Sequence, residues 1–458
     1  MQYADYAAWE AEAETARLYE NQLGHWRERL ADLPEQAGIP TDRQRPELLS
    51  GTGASVPVAV PADLAAQANS LGASLFEATL TALALLIHRY NGEDRVVVGV
   101  PVANRPHPEW EPVVGYFANS LAVPVDVSGS PSLGELLTRV RTASVEALSH
   151  QNVPFDLVVE ALGVRRHSGM NPMFQVMCSV NRVTRAPELP GLEISLVEAR
   201  NDTAKFDLEL AVSVDTGHVG IAFDYADDLF DRATVEQLAA DYAAIVDALL
   251  TSLGAGVGEV VLSRHGDVER AGRPVELRDR YGNRVPTGVF GSFDGRRARV
   301  LRDGRLEFAD ETSSDDDDVI GGDVVGGDEP LTPTEIAMAD IWKQVLGKAE
   351  VRRDWDFFSV GGDSLLATRV IARARRVWPV KLTVRHMLQH RLLSALADVI
   401  DRAVGDSGVV AENAPAERVP TPADAGEAPA LSMAQRGIWI VNQLEGHGGY
   451  YHSRSPSA

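Results

Sequence analysis

The feature that most constrains this chain is a glycine turn that leads directly into a helix at Ser364. Gly361, Gly362 and Asp363 precede the serine. An apolar stripe follows at the spacing of an amphipathic helix, formed by Ala367, Val370, Ile371 and Ala374. The pattern predicts a hydroxyl at a helix N-terminus, where unpaired N–H groups and the helix dipole favour a phosphate group. A plain helix cap is the ordinary role of such a serine, and the turn alone leaves that alternative open.

Helical patterns lie on both sides of this turn. Thr332, Pro333 and Glu335 form a capping box with proline at the first helical position, and Gly347 ends that helix. Its predicted apolar side consists of Ile336, Ala339, Ile341, Trp342 and Val345. The last helix has Leu393, Leu396, Ala397 and Ile400 on one side. Short helices of this kind predict an all-α four-helix domain over residues 331–404.

The segment around Ser364 resembles the attachment site of peptidyl carrier proteins, in which a serine bears a phosphopantetheine arm. The resemblance covers residues 331–404 and implies covalent 4'-phosphopantetheine on Ser364, with Gly362, Asp363 and Leu365 at the attachment site. It also implies three kinds of partner: a phosphopantetheinyl transferase, a separate adenylating enzyme that loads the carrier, and neighbouring synthetase modules. The candidate docking surface for the loading enzyme consists of Arg352, Arg353, Arg369, Arg373, Arg375 and Arg376, with a plain solvated face as the alternative.

The same four residues, Gly362 to Leu365, also match the nucleophile block of the GDSL hydrolases. In that family an Asp-x-x-His element near the C-terminus supplies the base, and serine is a poor nucleophile without one. None of the four histidines after Ser364 has an aspartate three residues before it. We therefore favour the carrier interpretation, with a GDSL-type hydrolase and a decayed, unmodified scaffold as the alternatives.

Helix and strand patterns alternate through residues 1–255. A capping box at Ser74 and Glu77 starts an apolar helix that runs to about Tyr90. Strands are predicted near 95–102, 173–181, 193–198, 206–214 and 218–224, and helices near 132–148 and 232–250. This alternation predicts an α/β domain.

A series of motifs in this region carries a second resemblance. In order, they are Tyr3-Ala4-Asp5-Tyr6, Trp26-Arg27-Glu28-Arg29-Leu30, Pro40-Thr41-Asp42-Arg43, Val114-Gly115-Tyr116-Phe117-Ala118-Asn119-Ser120, His150-Gln151-Asn152-Val153-Pro154-Phe155, Arg165 to Gln175, and Lys205-Phe206-Asp207-Leu208. The series resembles the C-terminal part of the condensation domains of nonribosomal peptide synthetases. The resemblance implies an incomplete lobe like that of chloramphenicol acetyltransferase over residues 1–255, and hence a multidomain fold.

The condensation family uses a His-His-x-x-x-Asp-Gly motif just upstream of the Tyr-Ala-Asp-Tyr element. None of the eleven histidines of this chain is adjacent to another. Amide formation needs a group that orients the amine and one that stabilises the oxyanion. We therefore expect no catalytic residues in the chain and no condensation without the missing N-lobe. His150 is interpreted equally well as a catalytic base and as a loop residue that bonds to the backbone.

The remaining segments complete the predicted organisation. Residues 256–310 predict hairpins that resemble a β-rich remnant of an adenylation domain, without a phosphate loop, so we expect no ATP site. Residues 311–330 are an acidic linker and 405–429 an Ala/Pro linker. Residues 430–458 resemble the truncated start of a second condensation- or epimerization-type domain, which suggests a fragment of a larger synthetase.

Composition limits the partners of the chain. A net charge of −23 and a pI near 4.9 argue against binding to nucleic acid or to an anionic membrane. The single cysteine, Cys178, lies in an apolar run that predicts burial in a strand. The aspartates Asp315–Asp318 lack metal-ligand spacing, so no metal site is predicted. No basic and then apolar segment opens the sequence, which predicts a cytoplasmic protein.

Overall fold

The structure is a computed structural model of the 458-residue chain. It describes residues 1–31, 38–105, 107–164, 169–183, 202–215, 218–262, 277–281, 332–357, 364–378 and 384–405. Shorter described pieces are 269–270, 273–274, 285, 290–293, 296–300, 306–308, 360, 362, 380, 382, 431–433 and 435. The predicted strand at 193–198, most of both linkers and the end of the chain lie outside the described residues.

A six-stranded mixed sheet forms the centre of the larger body. Its strands are β1 (Gly53–Val58), β2 (Arg95–Val102), β3 (Asn119–Asp126), β4 (Val176–Arg182), β5 (Leu208–Asp215) and β6 (His218–Ala226). Their order is β1-β6-β5-β4-β2-β3. Strand β4 runs parallel to β2 and β5, and the other neighbours are antiparallel.

Two of these strands, β1 and β3, are absent from the sequence-based prediction. Each contains a proline, Pro57 and Pro124, and each pairs with one neighbour only. Proline cannot donate to a strand ladder, so it is found mainly in edge strands, and a proline within an apolar run weakens the sequence signal for a strand. The predicted strands that the structure describes are present within a few residues of the expected bounds.

Helices pack around the sheet. They are α1 (Tyr3–Glu10), α2 (Ala13–Arg29), α3 (Leu64–Ser70), α4 (Leu75–Asn91), α5 (Leu133–Ser149), α6 (Phe155–Ala161) and α7 (Arg232–Thr251), with a 3-10 turn at Pro108–Trp110. Helix α4 begins with the predicted capping box of Ser74 and Glu77 and ends at Gly92, whose φ of 75° favours glycine. From Glu77 to its end α4 is buried, which makes it the central helix of the lobe.

Side chains from three neighbouring strands form the layer between the sheet and its helices. Cys178, Leu210 and Phe223 are register partners in turn, and all three are buried. The Phe223 ring meets the Tyr242 ring of α7 edge-on, with centroids 5.6 Å apart. Burial raises the pKa of the Cys178 thiol to about 12, so this cysteine is a packing residue, as predicted, and is not a nucleophile.

Five short strands follow the sheet domain: β7 (Glu269–Arg270), β8 (Arg273–Pro274), β9 (Phe290–Phe293), β10 (Arg296–Val300) and β11 (Leu306–Phe308). Strand β10 pairs antiparallel with β9 and with β11, and the hairpin prediction for this region is confirmed where it is described. The nearby Tyr281 hydroxyl lies 2.9 Å from Nε2 of His88 on α4, and the Asp279 carboxylate lies 2.8 Å from the Arg89 guanidinium. Residues 279–281 are therefore fastened to the central helix.

Four short helices form the predicted bundle: α8 (Pro333–Leu346), α9 (Ser364–Val377), α10 (Val384–Gln389) and α11 (Leu393–Gly405). The predicted apolar stripes of α9 and α11 are buried. On α8 the prediction for Ile336 is wrong, since this side chain is 51% exposed. Met338 is buried instead, because it lies three and four residues before Ile341 and Trp342 and shares their face.

Among the described residues, no single helix has both the length and the apolar composition needed to cross a membrane. The sharply bent pair α3 and α4 reaches those limits only when its two helices are taken together.

Candidate functional site

The loop that leads into α9 is fixed at two points. The Phe357 ring is fully buried and meets the Trp342 ring edge-on, with centroids 4.9 Å apart. The Phe357 N–H donates to the carbonyl of Arg391, 2.9 Å away, and Asp356 forms a β-bridge with Leu392. The loop is therefore attached both to the core of the bundle and to the connection between α10 and α11.

Gly362 makes the close turn before the helix. Its N–H donates to the Phe357 carbonyl at 2.9 Å. A Cβ at this position would lie 2.3 Å from Cδ1 of the Phe357 ring and 2.5 Å from the Phe357 carbonyl oxygen. Such contacts leave no room for a side chain, so the turn requires glycine here.

Ser364 is the first residue of α9, as the sequence predicts. The side chains of Ser364 and Leu365, and the whole of Gly361 and Asp363, lie outside the described residues. The first turn of an α-helix has N–H groups without intrahelical partners, and the helix dipole favours negative charge there. A serine at this position therefore suits a phosphodiester. The glycine turn brings the backbone close to the serine, and Gly362 adds no side chain there.

His150 bonds to the backbone, which is the structural one of its two possible roles. Its Nδ1 lies 2.8 Å from the carbonyl oxygen of Glu146, one turn earlier on α5. Its ring stacks on that of His25, with centroids 3.8 Å apart and planes 5° from parallel. Its own carbonyl accepts a hydrogen bond from the Trp26 indole at 3.1 Å. These contacts hold the end of α5 against α2.

Two other motifs of the lobe are joined through Asn119. Its side-chain amide donates to the carbonyls of Gln151 at 3.0 Å and Val153 at 2.7 Å. Its side-chain oxygen accepts the N–H of Phe155 at 3.0 Å, at the start of α6. One asparagine thus satisfies three backbone groups of the motif that begins at His150. These motif residues are structural here.

Asp207 and Arg45 form a further link within the lobe. The two side chains pair directly, and the Arg45 guanidinium also donates to the Gly169 carbonyl at 2.9 Å. Burial raises the pKa of the Asp207 carboxyl, and the arginine opposes that shift. Among the described residues, no group of three or more metal-ligating side chains is present.

The four-helix bundle packs on the sheet domain, with α10 against α5. Arg391, just after α10, lies between two carboxylates: 3.3 Å from Glu77 of α4 and 2.9 Å from Asp356 of the bundle. The side chains of Arg391 and Glu77 are only 11% and 10% exposed, so the pair is largely desolvated. Sequence reasoning missed this contact, because it treated Glu77 only as a helix cap.

The predicted arginine surface is divided between several roles. Arg369 of α9 pairs with Glu111 of the lobe at 2.8 Å. Arg353 pairs with Glu335 inside the bundle at 3.0 Å, and Arg375 donates to the Leu382 carbonyl at 2.6 Å. Arg352, Arg373 and Arg375 are exposed, and the side chain of Arg376 lies outside the described residues. Arg369, which belongs to the surface predicted for a loading enzyme, therefore faces the lobe instead.

We expect Arg369→Glu to weaken the docking of the bundle on the lobe, because it places two carboxylates where an ion pair stood. The partly exposed pair contributes at most about 1 kcal/mol, so the docked fraction should fall a few-fold. Hydrogen exchange across α10 and α5 measures this change.

The matched control is Arg373→Glu, which makes the same charge change on the same helix at an exposed position. Its exchange rates should equal those of the unmodified chain. The charge swap Arg369→Glu with Glu111→Arg should restore protection. Equal exchange in all the variants would show that this ion pair has no part in docking.

Comparisons with known proteins agree with both parts of the structure. Residues 1–268 match the condensation-domain family, and residues 337–400 match the phosphopantetheine attachment site family. Over 313 residues the chain is 34% identical to CymA of Salinispora arenicola, which is named as a non-canonical nonribosomal peptide synthetase, covering 66% of this chain and 4% of that protein. Over 251 residues it is 38% identical to phosphinothricin tripeptide synthetase PhsC of Streptomyces viridochromogenes, covering 52% of this chain and 22% of that protein.

Among solved structures, the X-domain from teicoplanin biosynthesis is similar in fold. It superposes with a TM-score of 0.53 at 28% identity, covering 57% of this chain and 62% of that one. The chain belongs to the condensation-domain family and also contains a phosphopantetheine-binding carrier domain. A carrier domain of this kind implies covalent 4'-phosphopantetheine on a serine, and it implies contact with a phosphopantetheinyl transferase and with neighbouring synthetase domains. No comparison supports the GDSL hydrolase alternative.

Proposed function

We propose that Ser364 carries 4'-phosphopantetheine and that the chain holds an aminoacyl or peptidyl group on it as a thioester. The observation that carries this proposal is the position of the serine. It is the first residue of α9, it follows a turn that requires glycine at Gly362, and it lies inside the segment 337–400. When bound, the arm supplies the thiol that forms the thioester. The protein itself fixes the attachment point at the N-terminal end of the short helix α9.

The division of the chain into functional parts is also a proposal. We assign residues 1–255 to a condensation lobe, 256–310 to an adenylation remnant, 331–404 to the carrier and 430–458 to the start of a second condensation-type domain. The segments 311–330 and 405–429 then connect these parts. The two curated relatives are peptide synthetases by name, and this chain spans only 4% and 22% of their lengths. Peptide assembly for an antibiotic or another secondary metabolite is therefore the proposed role of the larger system.

We further propose that a separate adenylating enzyme loads the carrier. The sequence of residues 256–310 has no phosphate loop, and within this region Asp279 and Tyr281 contact α4. Loading would use ATP, and attachment of the arm would use coenzyme A. Both are cytoplasmic metabolites, which supports a cytoplasmic location.

The test uses the full chain in two steps. Incubation with a phosphopantetheinyl transferase and coenzyme A should add one phosphopantetheine group per chain, measured by intact mass. The modified chain should then form no thioester with amino acids and ATP alone, and should form one when a stand-alone adenylating enzyme is added. Failure of the first step would leave the decayed scaffold as the better account. Thioester formation without the added enzyme would overturn the assignment of residues 256–310.

A further inference from the structure

Ser432 and Met433 contact helix α1 at the other end of the chain. The hydroxyl of Tyr3 lies 2.8 Å from Oγ of Ser432, although 429 positions separate the two residues. The N–H of Met433 donates to Oε2 of Glu10 at 2.6 Å. Ser432 is only 1% exposed, so its side chain is enclosed by this contact.

The docked segment has the hydrogen bonds of a helix start. The Ser432 N–H donates to Oε1 of Gln435 at 3.1 Å, and the Gln435 N–H donates to Oγ of Ser432 at 3.1 Å. This reciprocal pair is a capping box. The Met433 N–H is one of the first groups of such a turn that lack an intrahelical partner. Glu10 therefore supplies a carboxylate where a helix start favours negative charge.

A hydrogen bond within α1 holds the Glu10 side chain in position. Glu10 is 5% exposed, and its Oε1 accepts the hydroxyl of Tyr6 at 3.1 Å. Hydrogen bonds to an ionised carboxylate are stronger than neutral ones, and an unsatisfied buried carboxylate is costly. The Met433 N–H thus donates to the second oxygen of the Glu10 side chain, whose first oxygen accepts the Tyr6 hydroxyl.

An aromatic cluster around α1 supports the same surface. Its buried members are the aromatic residues Tyr6, Trp9, Trp110 and Phe117 together with Val113, and they are separate from the main core. The ring of Tyr3 covers Gly115 so closely that a Cβ there would lie 1.9 Å from Cδ2 of the ring. The Tyr3 hydroxyl also donates to the carbonyl of Tyr116. The group that meets Ser432 is therefore fixed by contacts within the lobe.

We propose that α1 and the loop at Gly115–Phe117 form a docking site for a helix start of the type Ser-x-x-Gln, and that Ser432–Gln435 of the same chain occupies it. In this site Tyr3 binds the serine hydroxyl, and Glu10 accepts the N–H of the residue that follows the serine. Residues 430–446 resemble the first motif of a condensation-type domain. If that part of the proposed function holds, the site fastens the start of the next condensation-type domain to the condensation lobe.

The substitution Met433→Pro tests the contact with Glu10. Proline is well tolerated at the first position of a helix, so the helix start remains, but the N–H that Glu10 accepts is lost. Met433→Ala is the matched control, since it shortens the side chain and keeps the N–H. Hydrogen exchange of residues 3–10 in the full chain should be about tenfold or more faster in Met433→Pro than in Met433→Ala, since both lose the partly buried side chain and only the proline variant loses the N–H.

A synthetic peptide of residues 429–446 provides the second measurement. Added to the Met433→Pro chain, it should restore protection of α1, and the same peptide with Ser432→Ala should restore much less. Equal exchange in the three chains, or a peptide that restores nothing, would overturn the proposal. Loss of protection on dilution of the unmodified chain would overturn the chain's own segment as occupant in favour of a second copy.

The outcome is separate from that of the carrier assignment. Attachment of phosphopantetheine at Ser364 should be equal in the Met433→Pro and Met433→Ala chains, because both substitutions lie outside the carrier segment 337–400. A chain that docks the segment but takes up no arm would contradict the proposed function alone. A chain that takes up the arm but shows no docking would contradict this inference alone.

Discussion

A Ser364→Ala chain is expected to take up no phosphopantetheine, while a Ser359→Ala chain takes up one group. The arm needs the hydroxyl at the first residue of α9, which Ser364 supplies. The loss should be complete, since the bond to the arm is covalent. Intact mass after incubation with a transferase and coenzyme A measures it.

Folding supplies the control for this result. Loss of a helix-capping hydroxyl costs at most about 2 kcal/mol, so Ser364→Ala should remain folded. The bundle is held by buried residues such as Trp342 and Phe357, which the substitution does not touch. The circular dichroism of the two serine variants should be the same. Uptake of the arm by a folded Ser364→Ala chain would rule out this serine as the site.

The second large effect concerns condensation. Given a loaded donor carrier and its own loaded carrier, the 458-residue chain is expected to form no dipeptide alone. The His-His-x-x-x-Asp-Gly motif does not occur in its sequence. Positioned acid–base groups typically contribute about 10²–10⁴-fold, and oxyanion stabilisation contributes further. Addition in trans of an N-lobe that bears the motif should restore product, measured by mass spectrometry as dipeptide bound to the arm of the chain's own carrier.

His150 provides the control for that experiment. Its Nδ1 lies 2.8 Å from the Glu146 carbonyl and its ring is stacked on His25, so it has a structural role. We expect His150→Ala to leave the complemented reaction largely unchanged. Dipeptide formed by the chain alone, and lost in His150→Ala, would show that this histidine is a base after all.

Local sequence signals predicted much of the fold. The capping boxes at Ser74 and at Thr332 fixed the starts of α4 and α8, because such a box satisfies two N–H groups within four residues. The strands that were missed, β1 and β3, are edge strands that contain Pro57 and Pro124. The wrong assignment of Ile336 came from counting an apolar residue that is out of phase with Met338 and Trp342.

The candidate site was predicted in outline but not in its supports. The pattern predicted a turn and a helix that starts at Ser364, and both are present. It did not predict that Phe357 excludes a side chain at Gly362, since that depends on how the ring packs on Trp342. Local patterns report neighbours along the chain, whereas this contact depends on the tertiary packing of the bundle.

Contacts between distant segments were beyond the reach of sequence reasoning. Arg391 and Glu77 are 314 positions apart, and neither lies in a pattern that indicates a partner. The same holds for Met433 and Glu10, which are 423 positions apart. Long-range ion pairs and hydrogen bonds depend on how the domains pack, which a single sequence does not record.

The most direct test of the central claim is to locate the arm on the modified chain. Trypsin releases a peptide from Asp354 to Arg369 that contains Ser359, Ser364 and Thr368. Fragmentation of this peptide in a mass spectrometer assigns the added group to one residue. The account predicts phosphopantetheine on Ser364 in every modified molecule. An arm on Ser359, on Thr368 or outside this peptide would contradict it.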